Sequence, residues 1–449
     1  MVEGEYHRAF AIMKLNEDYS NPENVTLEKD SAYLHEYIHF IQDFGTCYGI
    51  DQSVDRLSRY LDMIIQIQTD NYSGYLKLND EADFVSSLFV AAAGDSIEDI
   101  SDTVCHKVNG IEILEDKEYY EEDYEEDYPQ YMDLFKPSVI VQYNDEKEYQ
   151  FGGEAVAENM AYLFEKLFFN ANDYEKSLPY NSCEIVYKEI IGTSCDSIQI
   201  MIALCYASLM SHFPGYTFYT LVKRIKDLKS IPKKMEDIFE IARNLMQEVN
   251  ENQINNLEER IDYALPIIEN EVTVEKLYSP FMYDLKYCNN WLKSTYRHMI
   301  ENEEKFRNTL IYILEDENIL LRKARMRELI KINENPLLID KTGKLYSKDD
   351  KHLIFLLAPY ALQQTIMNKQ TSCALLPICT AYKKEISKKC GEFWWKKEFS
   401  NKICIMRFYL YLMNLGDVQF DELDNYLSEI LYLIFDYPHK HYTFKHFEV

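Results

Sequence analysis

Positive charge is what this sequence most lacks. It sets 47 lysines and arginines against 76 acidic residues, a formal net charge of −29. Such a surface repels phosphate backbones unless its cations segregate strongly, so no nucleic acid is expected among the partners. A basic segment followed by an apolar run is missing from "MVEGEYHRAF", which therefore does not read as a secretory signal. Long hydrophobic runs are missing too. The most apolar stretch, "SIQIMIALCYASLM" at 197–210, is too short and too interrupted by polar residues to span a bilayer. It reads as a buried helix, and no membrane association is expected. The ten cysteines include no C-x-x-C pair. Scattered thiols without an export signal read as small apolar residues of a cytoplasmic protein; a cysteine zinc site at 373–404 is the lesser alternative, its spacing being irregular. No repeat of solenoid length is present.

What the chain does have is bulk. It is 47% hydrophobic and carries 37 tyrosines and 23 phenylalanines, enough to exclude a disordered chain. Its 449 residues suggest two domains, 1–230 and 231–449, divided near "KSIPKK" at 229–234. The expected fold class is mainly α in an α+β arrangement, with small β elements in the first half and helices in the second. Within the first half a strand is expected in "HRAFAIMKLNE", then a helix capped by Asp30 or Ser31 and stopping at Gly45, then helix again over about 53–67. A hairpin after Pro137 should turn near Asn144 and Asp145. Further helices are expected from Gly153, from about Asp196 to Met210, and after the break at Pro214 and Gly215. Ile238, Ile241, Leu245 and Val249 recur at helical spacing, as do Leu423, Leu427, Ile430 and Ile434, and a short hairpin is expected at 337–347.

Between the first two helical regions and the hairpin lies an acidic insertion, about 113–135. Its core, "EDKEYYEEDYEEDYPQY" at 115–131, has neither helical nor strand period. Solvated chain is the plain reading of such a block; a flap, or a docking site for a basic protein partner, is the functional one.

The chemistry concentrates in "SAYLHEYIHFIQDFG", residues 31–45. Residues four apart stand on one helix face, so His35 and His39 can offer imidazole nitrogens to one metal ion. Glu36, rotated by about 100°, lies beside that ion and can take a proton from its water. Leu34, Ile38 and Ile41 give the helix an apolar side, so the imidazoles should be buried, where an unpaired one is costly. A third ligand is available in "GGEAVAENMA": Glu154 and Glu158 are again four apart, so the first can ligate the metal while the second accepts the outer N–H of a metal-bound histidine.

These two blocks resemble the gluzincin metallopeptidases, which pair H-E-x-x-H with a zinc-binding glutamate on a later helix. The resemblance implies a zincin-like domain with Zn2+ held by His35, His39 and Glu154, Glu36 as general base, Glu158 as the second-shell carboxylate, and hydrolysis of a protein or peptide substrate. The sequence departs from that pattern in having more than a hundred residues between the blocks, and in Ala155 and Asn159 where the pattern has Gly and Tyr. Glu158 itself, or an acid from another segment, therefore stands as an alternative third ligand. A donor for the developing oxyanion is sought in "HFPGYTFY", where His212 and Tyr216 are the candidates. His439, His441 and His446 read as a polar tail, and Trp394 and Trp395 as packing residues. The competing reading is a catalytically silent interaction protein that keeps the scaffold and binds a partner through its acidic segment.

Overall fold

The computed structural model describes residues 4–8, 10–16, 31–53, 55–56, 92–96, 100, 103–118, 134–144, 147–169, 177–228, 230–249, 303–332, 336–346, 357, 360–361, 364, 372–381 and 390. Over these residues the protein is mostly helical with two small sheets, a mixed α+β architecture. The expected helix beyond residue 56, residues 119–131 of the acidic block, the periodic stretch 423–434, Trp394 and Trp395, and the histidines at 439–446 lie outside them.

The expected N-terminal strand is in fact a hairpin. β1 (Gly4–His7) runs antiparallel to β2 (Ile12–Leu15), with Gly4 opposite Leu15 and His7 opposite Ile12. Ala11 takes a φ of 49° in the connection, a left-handed turn that the sequence did not announce. β2 pairs on its other side, in parallel, with β6 (Leu337–Ile339), which turns back into β7 (Leu345–Tyr346). That second hairpin, expected at 337–347, closes on Asp340, whose side chain accepts from the Thr342 and Lys344 amides. Its two inner strands, β2 and β6, carry the apolar runs, with Ile12, Met13, Leu15, Leu337, Leu338 and Ile339 all buried.

The second sheet is β3 (Val108–Glu118), β4 (Leu134–Tyr143) and β5 (Lys147–Phe151), all antiparallel. Asn144 makes the expected turn at a φ of 46°, and its side chain accepts from the His106 and Lys107 amides while donating to Val104 O. Here one expectation is corrected. Residues 113–118 and 134–135, assigned to the acidic insertion, belong to the β3–β4 ladder, in which Glu118 stands opposite Leu134. Pro137 sits inside β4 without penalty because β5 reaches only to Val139, which leaves the backbone at 137 with one neighbour.

Two antiparallel helices form the centre. α1 (Ser31–Gly45) lies between the first sheet and α2 (Gly153–Phe169), and for that reason its residues from Ala32 onward are all buried, not only one side. α2 presents Ala155, Ala157 and Ala161 where backbones approach and Met160, Phe164 and Phe168 where volume is needed. Around it stand α3 (Ser182–Ile191), α4 (Ile198–Leu209) and α5 (Pro214–Lys226), followed by α6 (Met235–Val249) against α4. Local chemistry fixes their ends: Gly192 closes α3 at a φ of 93°, the Ser197 hydroxyl accepts from the Ile200 amide at the start of α4, and Pro214 opens α5. The expected buried helix at 197–210 is α4, and the periodic residues 238–249 lie in α6.

Three further helices are α7 (Glu303–Leu314), α8 (Ile319–Ile332) and α9 (Leu376–Ala381). Arg322 of α8 donates to Leu167 O in the last turn of α2, at 2.9 Å, and twice to Asp316 O. A backbone carbonyl left without a partner at a helix end thus receives a buried cation.

Candidate metal centre

Antiparallel packing of α1 on α2 decides which residues meet. His35 and His39, one turn apart, face Glu158 on the opposing helix. His35 Nε2 lies 3.2 Å from Glu158 Oε2, His39 Nε2 lies 3.1 Å from Glu158 Oε1, and the two Nε2 atoms are 3.2 Å apart. Among the described residues this is the group able to hold a metal ion, its ligand atoms all within 4.8 Å of one another.

The outer ring nitrogens determine the tautomers. His39 Nδ1 meets Gln42 Oε1 at 2.8 Å, and Gln42 Nε2 donates to Ala157 O at 3.0 Å. The second contact fixes which end of the amide is oxygen, so His39 must donate from Nδ1. His35 Nδ1 meets Glu165 Oε2 at 3.3 Å, where it can only donate to an ionised carboxylate. Both Nε2 atoms are then lone-pair sites, aimed with a carboxylate at one buried point. The donor set fits a cation.

Charge in the pocket follows from the same geometry. Burial opposes ionisation of Glu158, but His39 and His35 outweigh it and hold the carboxyl well below the usual carboxylate range. Burial likewise opposes charge on His35, yet Glu158 and Glu165 raise its proton affinity well above the ordinary imidazole value; Glu158 raises His39 in the same way. Protons and a divalent ion thus compete for the same atoms. Glu36 is different: burial lifts its pKa above the ordinary value against the pull of His35 and His39.

Glu154, the expected third ligand, is elsewhere. One turn before Glu158 on α2, it accepts from Arg8 Nη1 at 2.7 Å and from the Tyr48 hydroxyl at 3.0 Å. Glu158 thus takes the place at the imidazoles expected of Glu154, Glu154 is in a part-buried ion pair, and the outer ring nitrogens fall to Glu165 and Gln42. Helix register is the reason: with α1 and α2 antiparallel, Ala157 sits opposite Gln42, which puts position 158 level with His39 and position 154 level with Asp43 and Tyr48. Arg8 also lies 3.1 Å from Asp43 through Nε, but neither Asp43 oxygen accepts a hydrogen bond among the described residues. Burial therefore dominates and pushes the Asp43 carboxyl up to about 6 in spite of Arg8.

The remaining candidates do not gather here. His212 Nδ1 pairs with Asp51 Oδ2 at 2.5 Å, close to where α2 begins, since a Cβ on Gly215 would lie 2.0 Å from Phe151 O. Tyr216 is half-buried on α5 against the core. An aromatic that sequence reasoning passed over, Tyr180, instead stands edge-to-face with His35, ring centroids 6.2 Å apart, and remains partly exposed. Glu165 and Gln42 were also passed over. Their signals were present: Glu165 is two turns beyond Glu158, and Gln42 is three residues past His39, each on the ligand face.

The chain matches no protein-family model, no curated protein and no solved structure in comparisons with each. The buried His–His–Glu group is thus the main guide to function.

Proposed function

We propose that the protein is a gluzincin-like zinc metallopeptidase in which His35, His39 and Glu158 hold the ion and Glu36 acts as general base on a peptide substrate. The observation that carries this reading is the convergence of two Nδ1-anchored imidazoles and one carboxylate on a single buried point. Two nitrogens and one oxygen, with a fourth position left for water or substrate, suit zinc in catalysis more than a closed structural site. When bound, zinc supplies Lewis acidity and lowers the pKa of its water to about 7.

The chain's own residues do the rest. His35 and His39 are oriented by Glu165 and Gln42, so their Nε2 atoms need no rearrangement to bind. Glu36 follows His35 directly and is buried beside the pair, where its raised proton affinity suits it to accept a proton and deliver it to a leaving amine. A site that served structure alone would have no use for that carboxylate, which favours the enzyme over the silent interaction protein.

The test pairs metal analysis with cleavage of a quenched-fluorophore peptide mixture by the purified protein. Wild type should bind one zinc per chain and cleave; Glu36→Gln should keep the zinc and lose cleavage by about 10²–10⁴-fold. Absence of stoichiometric metal after refolding with zinc would sink the reading.

A further inference from the structure

Gly4 stands in β1 with its backbone against Glu36. A Cβ built there would lie 2.7 Å from Glu36 Cγ and Oε1 and 2.9 Å from Leu15 Cδ2. Gly4 is not among the glycines at positive φ, so its backbone conformation does not call for glycine. Space does. Alternation along the strand turns Gly4 and Tyr6 toward α1, where Tyr6 meets Phe40 edge-on at 6.3 Å, while Glu5 and His7 turn to the other face and approach each other at 3.3 Å.

We propose that Gly4 is a positioning residue for the general base: its missing side chain leaves the slot in which the Glu36 carboxylate rests against the strand. This rests on the assignment of Glu36 in the proposed function. Of the atoms that a new Cβ would meet, those of Glu36 belong to a long side chain that can swing, whereas Leu15 is packed in the core. An added methyl group therefore displaces the carboxylate first. Proton transfer needs an approach of about 2.6–3.2 Å, and a misplacement near 1 Å costs on the order of a hundredfold. The imidazoles are anchored by Glu158 and Glu165 of α2 and by Gln42 of α1, so the metal should be held as before.

Gly4→Ala and Gly4→Ser are compared with Glu112→Ala, an exposed position on β3 in the other sheet. Zinc content, the visible spectrum of the cobalt-substituted protein, kcat and KM are measured on a peptide that wild type cleaves. Gly4→Ala should keep the metal and its spectrum, leave KM within about twofold and lower kcat roughly ten- to a hundredfold, with Gly4→Ser lower still and Glu112→Ala unchanged. Unchanged kcat in Gly4→Ala overturns the inference, as does loss of zinc together with activity, which would make Gly4 a packing residue of the whole site. A second readout needs no activity: the drop in melting temperature caused by Gly4→Ala should shrink in a Glu36→Ala background. If it persists there, the clash is with Leu15 and the inference falls. Glu36→Gln cleaving as fast as wild type would instead remove the base assignment, and this dependent inference with it.

Discussion

At the scale of single residues, the roles of Glu154 and Glu158 separate cleanly. Zinc content measured on purified variants should fall to near zero in His39→Ala and Glu158→Ala, and stay near wild type in Glu154→Ala. The last should instead lose stability, because Arg8 is buried and would keep only Asp43 as a counter-charge. Of the two carboxylates at Arg8, Asp43, which accepts no hydrogen bond among the described residues, is the dispensable partner. Arg8→Met should cost about 3–5 kcal/mol in urea unfolding by removing the cation beside buried Asp43 and part-buried Glu154, which would keep only the Tyr48 hydroxyl among the described residues, while Asp43→Asn should be tolerated at pH 7. The pH dependence has a definite sign. With a folded pKa raised from 3.8 to about 6, Asp43 favours the folded state below about pH 4, and that contribution is lost as pH rises through 6. Asp43→Asn should accordingly gain stability relative to wild type between pH 4.5 and 7; a difference that does not vary over this range would contradict it.

At the scale of elements, α2 is the part on which the site depends. Its C-terminal end is held by Arg322 through Leu167 O, and its N-terminal end lies beneath Gly215, with no room for a side chain against Phe151 O. Arg322→Met should lower stability by about 1–3 kcal/mol through an unsatisfied buried carbonyl, read by chemical unfolding. Gly215→Ala, which meets backbone and not a flexible side chain, should weaken both the fold and zinc binding, because α2 carries Glu158. The helices themselves were legible from spacing: α1, α2, α4 and α6 stand close to where periodicity puts them. Less legible was β3, whose ladder runs into an acidic block without strand period in its sequence, since pairing with β4 is a tertiary contact that the local pattern does not carry. The Ala11 turn was hidden because alanine rarely takes positive φ.

At the scale of the whole molecule, residues near 12 and near 338 share a sheet. β6 supplies the second edge of β2, and β2 in turn supports β1 beside Glu36. A fragment of residues 1–230 should therefore unfold at lower temperature than the full chain and bind zinc more weakly, as calorimetry and metal titration would show; equal behaviour would mean that the pairing is dispensable. Among the described residues no helix is long and apolar enough to cross a membrane, and the most apolar one, α4, has 12 residues. Metal removal offers a global readout. If zinc binds only the folded state, chelation should reduce stability by about 4 kcal/mol when free zinc had stood a thousandfold above Kd.

The sequence by itself determined the ligand helix: a four-residue spacing puts His35 and His39 on one face whatever surrounds them, and Glu36 follows from its place between them. It also put forward Glu154 as third carboxylate, with Glu158 on the same helix or an acid from another segment as alternatives. Only the tertiary structure chose between the two glutamates, because that choice depends on how far one helix slides along another, and a slide of one turn exchanges Glu154 for Glu158 without altering any local preference. The same holds for Gly4, Glu165 and Gln42, whose meaning comes from atoms that fold against them and not from their neighbours in the chain.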